Sequence, residues 1–305
     1  MQIRQTEHAI TVPAPAGTVY RLIADAERWP AIFTPTVHVE YLPGEAGAEQ
    51  RLRIWAFAGD AVRSWVSHRT LDPVARRVAF RQTSPARPVA AMRGEWHVVP
   101  SGEGSEVVFR HWFSAENDDA DVLDRIEEVV EHNSRAELDS LRDAANRAHL
   151  LVDWEDEVAV GPGQERVFRF LADAAQWPTL IPHVARVDLH EDAAGVQRLE
   201  MDTVPSTGGD VHTTVSVRVL LPPETIVYKQ TTLPDFLHAH VGSWHVREDG
   251  GAVAKHTVVL KEEAITAILG PEGTVEQAAA LVRRSIGGNS MATLRRAREL
   301  APTAP

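Results

Sequence analysis

Cysteine is absent from the 305 residues. That excludes disulfides, thiol nucleophiles, CxxC redox chemistry and Cys-ligated zinc. Lysine is scarce: of 31 basic residues only Lys229, Lys255 and Lys261 are Lys, a compositional habit of GC-rich bacterial genes. Long apolar runs are missing as well. No stretch approaches the ~18 apolar residues of a membrane span, and Met1 to Pro15 holds no apolar core of signal-peptide length. Positive charge is in deficit, giving a net charge of −12. Such a surface repels nucleic-acid backbones and anionic lipid, so neither nucleic acid nor membrane is expected as a partner. These absences together point to a cytoplasmic protein. Phosphate-binding P-loops, dinucleotide-binding glycine fingerprints and nucleophile-elbow motifs are also lacking. The 14 His are scattered, and the close pair His238 and His240 has no helical spacing or local carboxylate. No metal site and no cofactor are expected.

What is present is an ordinary globular mixture, 44% apolar and 24% charged, long enough for two domains. An internal repeat divides it. Val19 to Pro30 (VYRLIADAERWP) matches Val167 to Pro178 (VFRFLADAAQWP) at an offset of 148, and Gly94 to Val98 matches Gly242 to Val246 at the same offset. Val66-Ser67 matches Val215-Ser216 at 149, and Asn133-Ser134 matches Asn289-Ser290 at 156, after a longer insertion. A period this long is a duplicated domain, so the chain reads as 1–150 and 151–305, separated near Leu150 to Asp153.

Each half has the same order of elements. In the first, residues 5–12 read as a strand and Val19 to Ala26 as a short helix stopped before Trp29-Pro30, because the residue before Pro avoids the α region. Strands follow near 37–43, 49–58, 61–71, 76–83, 90–99 and 105–114, then a long amphipathic helix from Asp119 to Ala148. The second half repeats this, with strands to about Leu260 and a closing helix from Thr274 to Leu300. The class is α+β, with an antiparallel sheet curled around its closing helix so that the helix can bury its apolar stripe. That grip leaves a cavity.

Alternate strand residues share a face. Arg63, Trp65, Ser67 and Arg69 lie on one face, as do Asp210, His212, Thr214, Ser216 and Arg218 in the second half. A polar face opposite a valine-rich one faces either water or a wet pocket. Asn133 and Asn289 sit on the apolar stripes of the closing helices, where an amide needs partners. Trp29 and Trp177, beside the short helices, are candidate ligand platforms at the pocket mouth; Trp65, Trp96 and Trp244 are core or platform.

These motifs resemble a known family. Ala24-Asp25 with Trp29-Pro30, Ser67-x-Arg69, Gly94-x-Trp96 and Asn133-Ser134 recur as Ala172-Asp173 with Trp177-Pro178, Ser216-x-Arg218, Gly242-x-Trp244 and Asn289-Ser290. The pattern resembles the helix-grip domains of the START/Bet v 1-like superfamily, polyketide cyclase branch. Two tandem copies resemble the di-domain aromatase/cyclases of bacterial type II polyketide synthases. The resemblance implies a poly-β-ketone substrate delivered by an acyl carrier protein, first-ring aldol closure between carbons 7 and 12, and dehydration to an aromatic ring. Ketosynthase and ketoreductase of the same pathway are implied as further partners. A non-catalytic hydrophobic-ligand carrier of the START type is the alternative. By the same resemblance Arg69 is the key polar residue, with Trp65 preceding it; Thr214 stands at the position of Trp65 in the second half. The catalytic candidates are Arg69, Arg218, Ser67, Ser216 and His212. The substrate-binding candidates are Trp29, Trp65, Trp96, Asn133, Trp177, His183, Thr214, Gln230, Trp244 and Asn289. The first cavity is expected to grip a folding ring, and the second, richer in proton carriers, to favour the proton transfers of dehydration.

Overall fold

The structure is a computed structural model that describes residues 2–44, 47–204 and 211–300. Asp210 lies outside the described residues. Two compact units divide the chain, Met1–His149 and Leu150–Pro305.

The first unit runs β1 (Arg4–Val12), α1 (Ala16–Ala24), a 3-10 turn, α2 (Trp29–Ile32), β2 (Thr36–Leu42), β3 (Glu49–Ala58), β4 (Ala61–Asp72), β5 (Arg77–Ser84), β6 (Val89–Ser101), β7 (Gly104–Ala115) and α3 (Ala120–Asn146). Its seven strands form one antiparallel sheet in the order β1-β7-β6-β5-β4-β3-β2. This is a meander whose first strand returns beside the last. Helix α3 starts at Asp119, whose carboxylate accepts from the Val122 amide. Its buried stripe is Leu123, Ile126, Val130, Ser134, Leu138 and Leu141. The N-terminal part of that stripe packs on Phe113 and Ala115. The C-terminal part packs with Val19, Ile23, Val78 and Trp96. Between the two clusters the helix turns polar, at Asn133, Ser134 and Glu137, and there the cavity opens.

The second unit repeats the plan: β8 (Leu151–Ala159), α4 (Gln164–Ala172), α5 (Trp177–Leu180), β9 (Val184–Ala193), β10 (Val196–Thr203), β11 (His212–Leu221), β12 (Thr225–Thr232), β13 (Leu237–Val246) and β14 (Gly251–Leu260). The sheet order is β8-β14-β13-β12-β11-β10-β9. It closes with α6 (Glu262–Leu269), α7 (Val275–Val282), a π turn over Arg283–Gly287 and α8 (Gly288–Leu300). No helix among the described residues is long and apolar enough to cross a membrane.

One local expectation is corrected. Trp29 and Trp177 adopt α-region dihedrals (φ −53°, ψ −40° and φ −58°, ψ −37°) and open short helices instead of ending them. Pro30 and Pro178 then occupy the first turn, where a helix leaves its N–H groups unpaired and the missing donor costs nothing. The second closing helix runs as expected, from Val275 to Leu300, with one π turn at Arg283–Gly287 inside it. The shift of the repeat offset from 148 to 156 corresponds to the inserted α6, and α7 begins at a capping box between Thr274 and Gln277.

Candidate active site

Helix α1 ends at Ala24, leaving its last carbonyls without partners inside the helix. Strand β4 brings Arg69 against them. Arg69 Nη1 donates to the Ile23 carbonyl at 3.3 Å and Nη2 to that of Ala24 at 2.6 Å. Nε donates to Gln50 Oε1 at 2.8 Å, and Nη2 also to Tyr41 Oη at 3.2 Å. The guanidinium carbon lies 5.2 Å from the centre of the Trp29 ring, within cation–π reach. Trp29 in turn donates its indole N–H to the Ile23 carbonyl at 3.0 Å. Arg69 is 1% exposed, and burial lowers its pKa, yet a guanidinium remains charged. Of its five N–H groups one, on Nη1, stays uncommitted.

Arg69, Ser67, Trp65, Trp29, Trp96 and Asn133 line one cavity of about 360 Å³. The polar face of β4 therefore faces a pocket. Ser67 Oγ donates to the Arg81 carbonyl at 3.2 Å and Asn133 Nδ2 to the Phe57 carbonyl at 2.9 Å. Trp96 is 3% exposed and stacks on Phe109 with ring centres 3.5 Å apart, so it acts as wall.

Sequence reasoning missed two titratable groups here. His111, whose Nδ1 lies 3.4 Å from Ser134 Oγ, is pushed down to about 3 by burial and is neutral. Glu137 is pushed up to about 8 by burial, so its carboxyl keeps a proton at neutral pH. Both had signals. His111 is the register partner of Gly94 in the Gly-x-Trp motif, and Glu137 follows Asn133 by one helical turn. Arg63, Arg87 and Arg125 also border the cavity and are exposed, which marks its rim.

In the second unit Arg218, 1% exposed, donates through Nη2 to the Leu171 carbonyl in the last turn of α4. It lies 5.4 Å from the centre of the Trp177 ring. Trp177 is 2% exposed and donates to the Phe170 carbonyl, so it is a buried support and not a platform at a mouth. The remaining bonds differ from those of Arg69. Leu189 holds the register position of Tyr41. Gln197 stands opposite Arg218, as Gln50 does opposite Arg69, but does not bond to it. Arg218 Nε and Nη1 and Gln197 Oε1 are buried without hydrogen-bond partners. Burial pushes Arg218 down to about 10.

A cavity of about 110 Å³ is lined by Arg218, Ser216, Thr214, Gln230, His183, Trp177, Trp244, Asn289 and His212. His212 is exposed and stands at the rim. Trp244 donates to Ser290 Oγ at 2.7 Å. Tyr228, His240 and His256 line the same cavity and were not foreseen.

Both units match sequence profiles described as "Polyketide cyclase / dehydrase and lipid transport", over residues 4–146 and 163–284. Similarity also extends along the whole chain. It is 39% identical over 311 residues to the granaticin polyketide synthase bifunctional cyclase/dehydratase of Streptomyces violaceoruber, covering 99% of this chain and 95% of that protein. The chain belongs to the polyketide cyclase/dehydrase family. Another relative of this cyclase/dehydrase, the actinorhodin polyketide synthase bifunctional cyclase/dehydratase of Streptomyces coelicolor, is 40% identical over 95% of this chain and 94% of its own length. The crystal structure of the di-domain ARO/CYC BexL from the BE-7585A biosynthetic pathway superposes with a TM-score of 0.87 at 42% identity, covering 99% of this chain and 100% of that one. The tandem helix-grip architecture is thus that of a di-domain cyclase/dehydrase.

Proposed function

We propose that the protein is an aromatase/cyclase that takes a poly-β-ketone from an acyl carrier protein, directs aldol closure of the first ring between carbons 7 and 12, and promotes dehydration to an aromatic ring. One observation carries this reading: the larger cavity sets a fixed guanidinium and a carboxyl held neutral in a wall that is otherwise mostly apolar. A ligand carrier needs only the apolar wall; Arg69 and Glu137 suit a reaction that builds negative charge on oxygen.

Closure breaks a C–H bond of an activated methylene, forms a C–C bond to a ketone carbon and leaves an alkoxide. Arg69, with one free Nη1–H, stabilises the enolate or alkoxide oxygen. About 3 kcal/mol of such stabilisation is about two orders of magnitude in rate. His111, neutral and bordering the same cavity, takes the methylene proton. Glu137 gives its proton to the alkoxide, and the imidazolium's proton, passed through solvent, restores the Glu137 carboxyl, so the cycle is proton-neutral. Ser67 and Asn133 hold carbonyl oxygens, while Trp65 and Trp96 confine the chain so that one closure is reached.

The test is reconstitution with ketosynthase, acyl carrier protein and ketoreductase. Glu137→Gln is expected to lower the ring-closed product at least about tenfold and to release uncyclised shunt products. Wild-type closure should fall as pH rises through about 8, where Glu137 loses its proton, whereas the variant should be slow and flat with pH. An unchanged product profile and an unchanged pH profile in Glu137→Gln would remove the carboxyl from the mechanism.

A further inference from the structure

The second unit differs from the first at two of three positions around one glycine. In the first unit Gly94 pairs with Phe80 on β5 and His111 on β7; in the second Gly242 pairs with Tyr228 on β12 and His256 on β14. Two residues before each glycine stand Met92 and His240. The second cavity therefore has Tyr, His and His where the first has Phe, Met and His. Both histidines converge with the tyrosine on one atom: Tyr228 Oη lies 3.1 Å and His240 Nε2 3.3 Å from His256 Nδ1. His240 is 4% and His256 2% exposed. Their other ring nitrogens, His240 Nδ1 and His256 Nε2, are buried without partners, as are Arg218 Nε and Nη1 and Gln230 Oε1. Around a cavity of about 110 Å³, unmade donors and acceptors therefore coexist. A cavity of ~150 Å³ holds a benzene ring, so this one takes no more than a single ring.

We infer that Tyr228, His256 and His240 form a proton relay that, with Arg218, dehydrates a single β-hydroxy-ketone ring in the second cavity. This rests on the cyclase reading above and assigns its second step to a second site. The carbonyl oxygen accepts from Arg218, and the hydroxyl donates to Gln230 Oε1. An imidazole nitrogen of the pair takes the proton from the carbon between carbonyl and carbinol. The C–O bond breaks, a C=C bond forms, and Tyr228 Oη gives its proton to the departing hydroxide, which leaves as water. The imidazolium then returns its proton to the tyrosinate along the Tyr228–His256 hydrogen bond. No oxidant or reductant is required. Burial keeps both histidines neutral and the phenol protonated, the forms this sequence starts from.

Tyr228→Phe and His240→Met install side chains that the first unit carries at the same register positions, and Tyr228→Phe removes a single oxygen atom. With the full chain, ketosynthase, acyl carrier protein and ketoreductase, each variant is expected to lower aromatic product at least about tenfold while a ring-closed β-hydroxy compound accumulates, with an unfolding midpoint close to wild type. Wild-type aromatic yield from a folded Tyr228→Phe protein would overturn the relay and leave the cyclase reading intact. Uncyclised shunt products from that variant would also overturn it, since they place the second cavity before closure. If wild type itself closed no ring, the cyclase reading would fail and the relay with it.

Discussion

Arg69 and Arg218 are equivalent residues with unequal surroundings. Arg69 makes four hydrogen bonds, two of them to the carbonyls that end α1. Arg218 makes one to the end of α4 and keeps Nε and Nη1 unpaired. Removing Arg69 strands carbonyls and Gln50 away from water; removing Arg218 strands less and also relieves a poorly paired buried charge. Arg69→Ala is therefore expected to cost about 2–4 kcal/mol of stability and Arg218→Ala about 1–2. Urea unfolding of the two variants checks the order, and a larger loss from Arg218→Ala would contradict this account of the two guanidinium environments. Strand alternation was enough to put both arginines, the serines and Thr214 on one polar face of each unit, because a polar face opposite a valine face is visible at period two, but it left open whether that face met water or a pocket. Glu137 carried only its one-turn spacing from Asn133 as a signal, and the relay histidines had no pattern that assigned them to the site. His240 stood out only as the close neighbour of His238 and nothing local marks His256, and their meeting depends on the register between β13 and β14.

At the scale of elements, the strand register explains the glycines of the Gly-x-Trp motif. A Cβ on Gly94 would stand 2.5 Å from the Phe80 ring and 2.5 Å from the Arg110 carbonyl. On Gly242 it would collide with the Tyr228 ring. Each glycine is the seat on which a cavity-lining ring of the next strand lies. Gly94→Ala is expected to push Phe80 into the first cavity, cost about 1–3 kcal/mol from overpacking and reduce closure more than Val99→Ala, an exposed change five residues along the same strand. Thermal unfolding and product yield of the pair decide it; equal behaviour would show that the seat is unimportant. Strand limits followed from alternation and turn residues to within a residue or two. The closing helix of the second unit was equally legible, but α6 was not, since eight residues are too few to display a helical period, and the π turn at Arg283–Gly287 has no periodic signature of its own.

Across the whole molecule, charge is unevenly placed. The chain carries −12 overall, yet the rim of the first cavity presents Arg63, Arg87 and Arg125. Beyond Arg218, the second cavity is bordered by no arginine among the described residues. A cationic rim on an anionic protein selects an anionic partner and raises its rate of encounter. On the proposed function, the carrier-bound substrate is expected to enter the first cavity past this rim. Arg63→Glu with Arg125→Glu is expected to raise the apparent KM for carrier-bound substrate about tenfold or more with little change in kcat, and to weaken the dependence of KM on salt. A rise in kcat-limited defects with unchanged KM would place docking elsewhere.

The glycine seats have a consequence for how such a protein diverges. Because Gly94 and Gly242 accept a ring lying flat on the strand, Phe and Tyr are interchangeable there in shape, and so, nearly, are Met and His two residues earlier. After duplication one copy can therefore change from an inert wall to a reactive one by exchanges that leave the backbone, the sheet register and the helix contacts as they were. The ancestral vessel stays intact while its reagents are replaced. On the proposed relay, a tandem pair built this way gains a second step from an edited copy of the first unit.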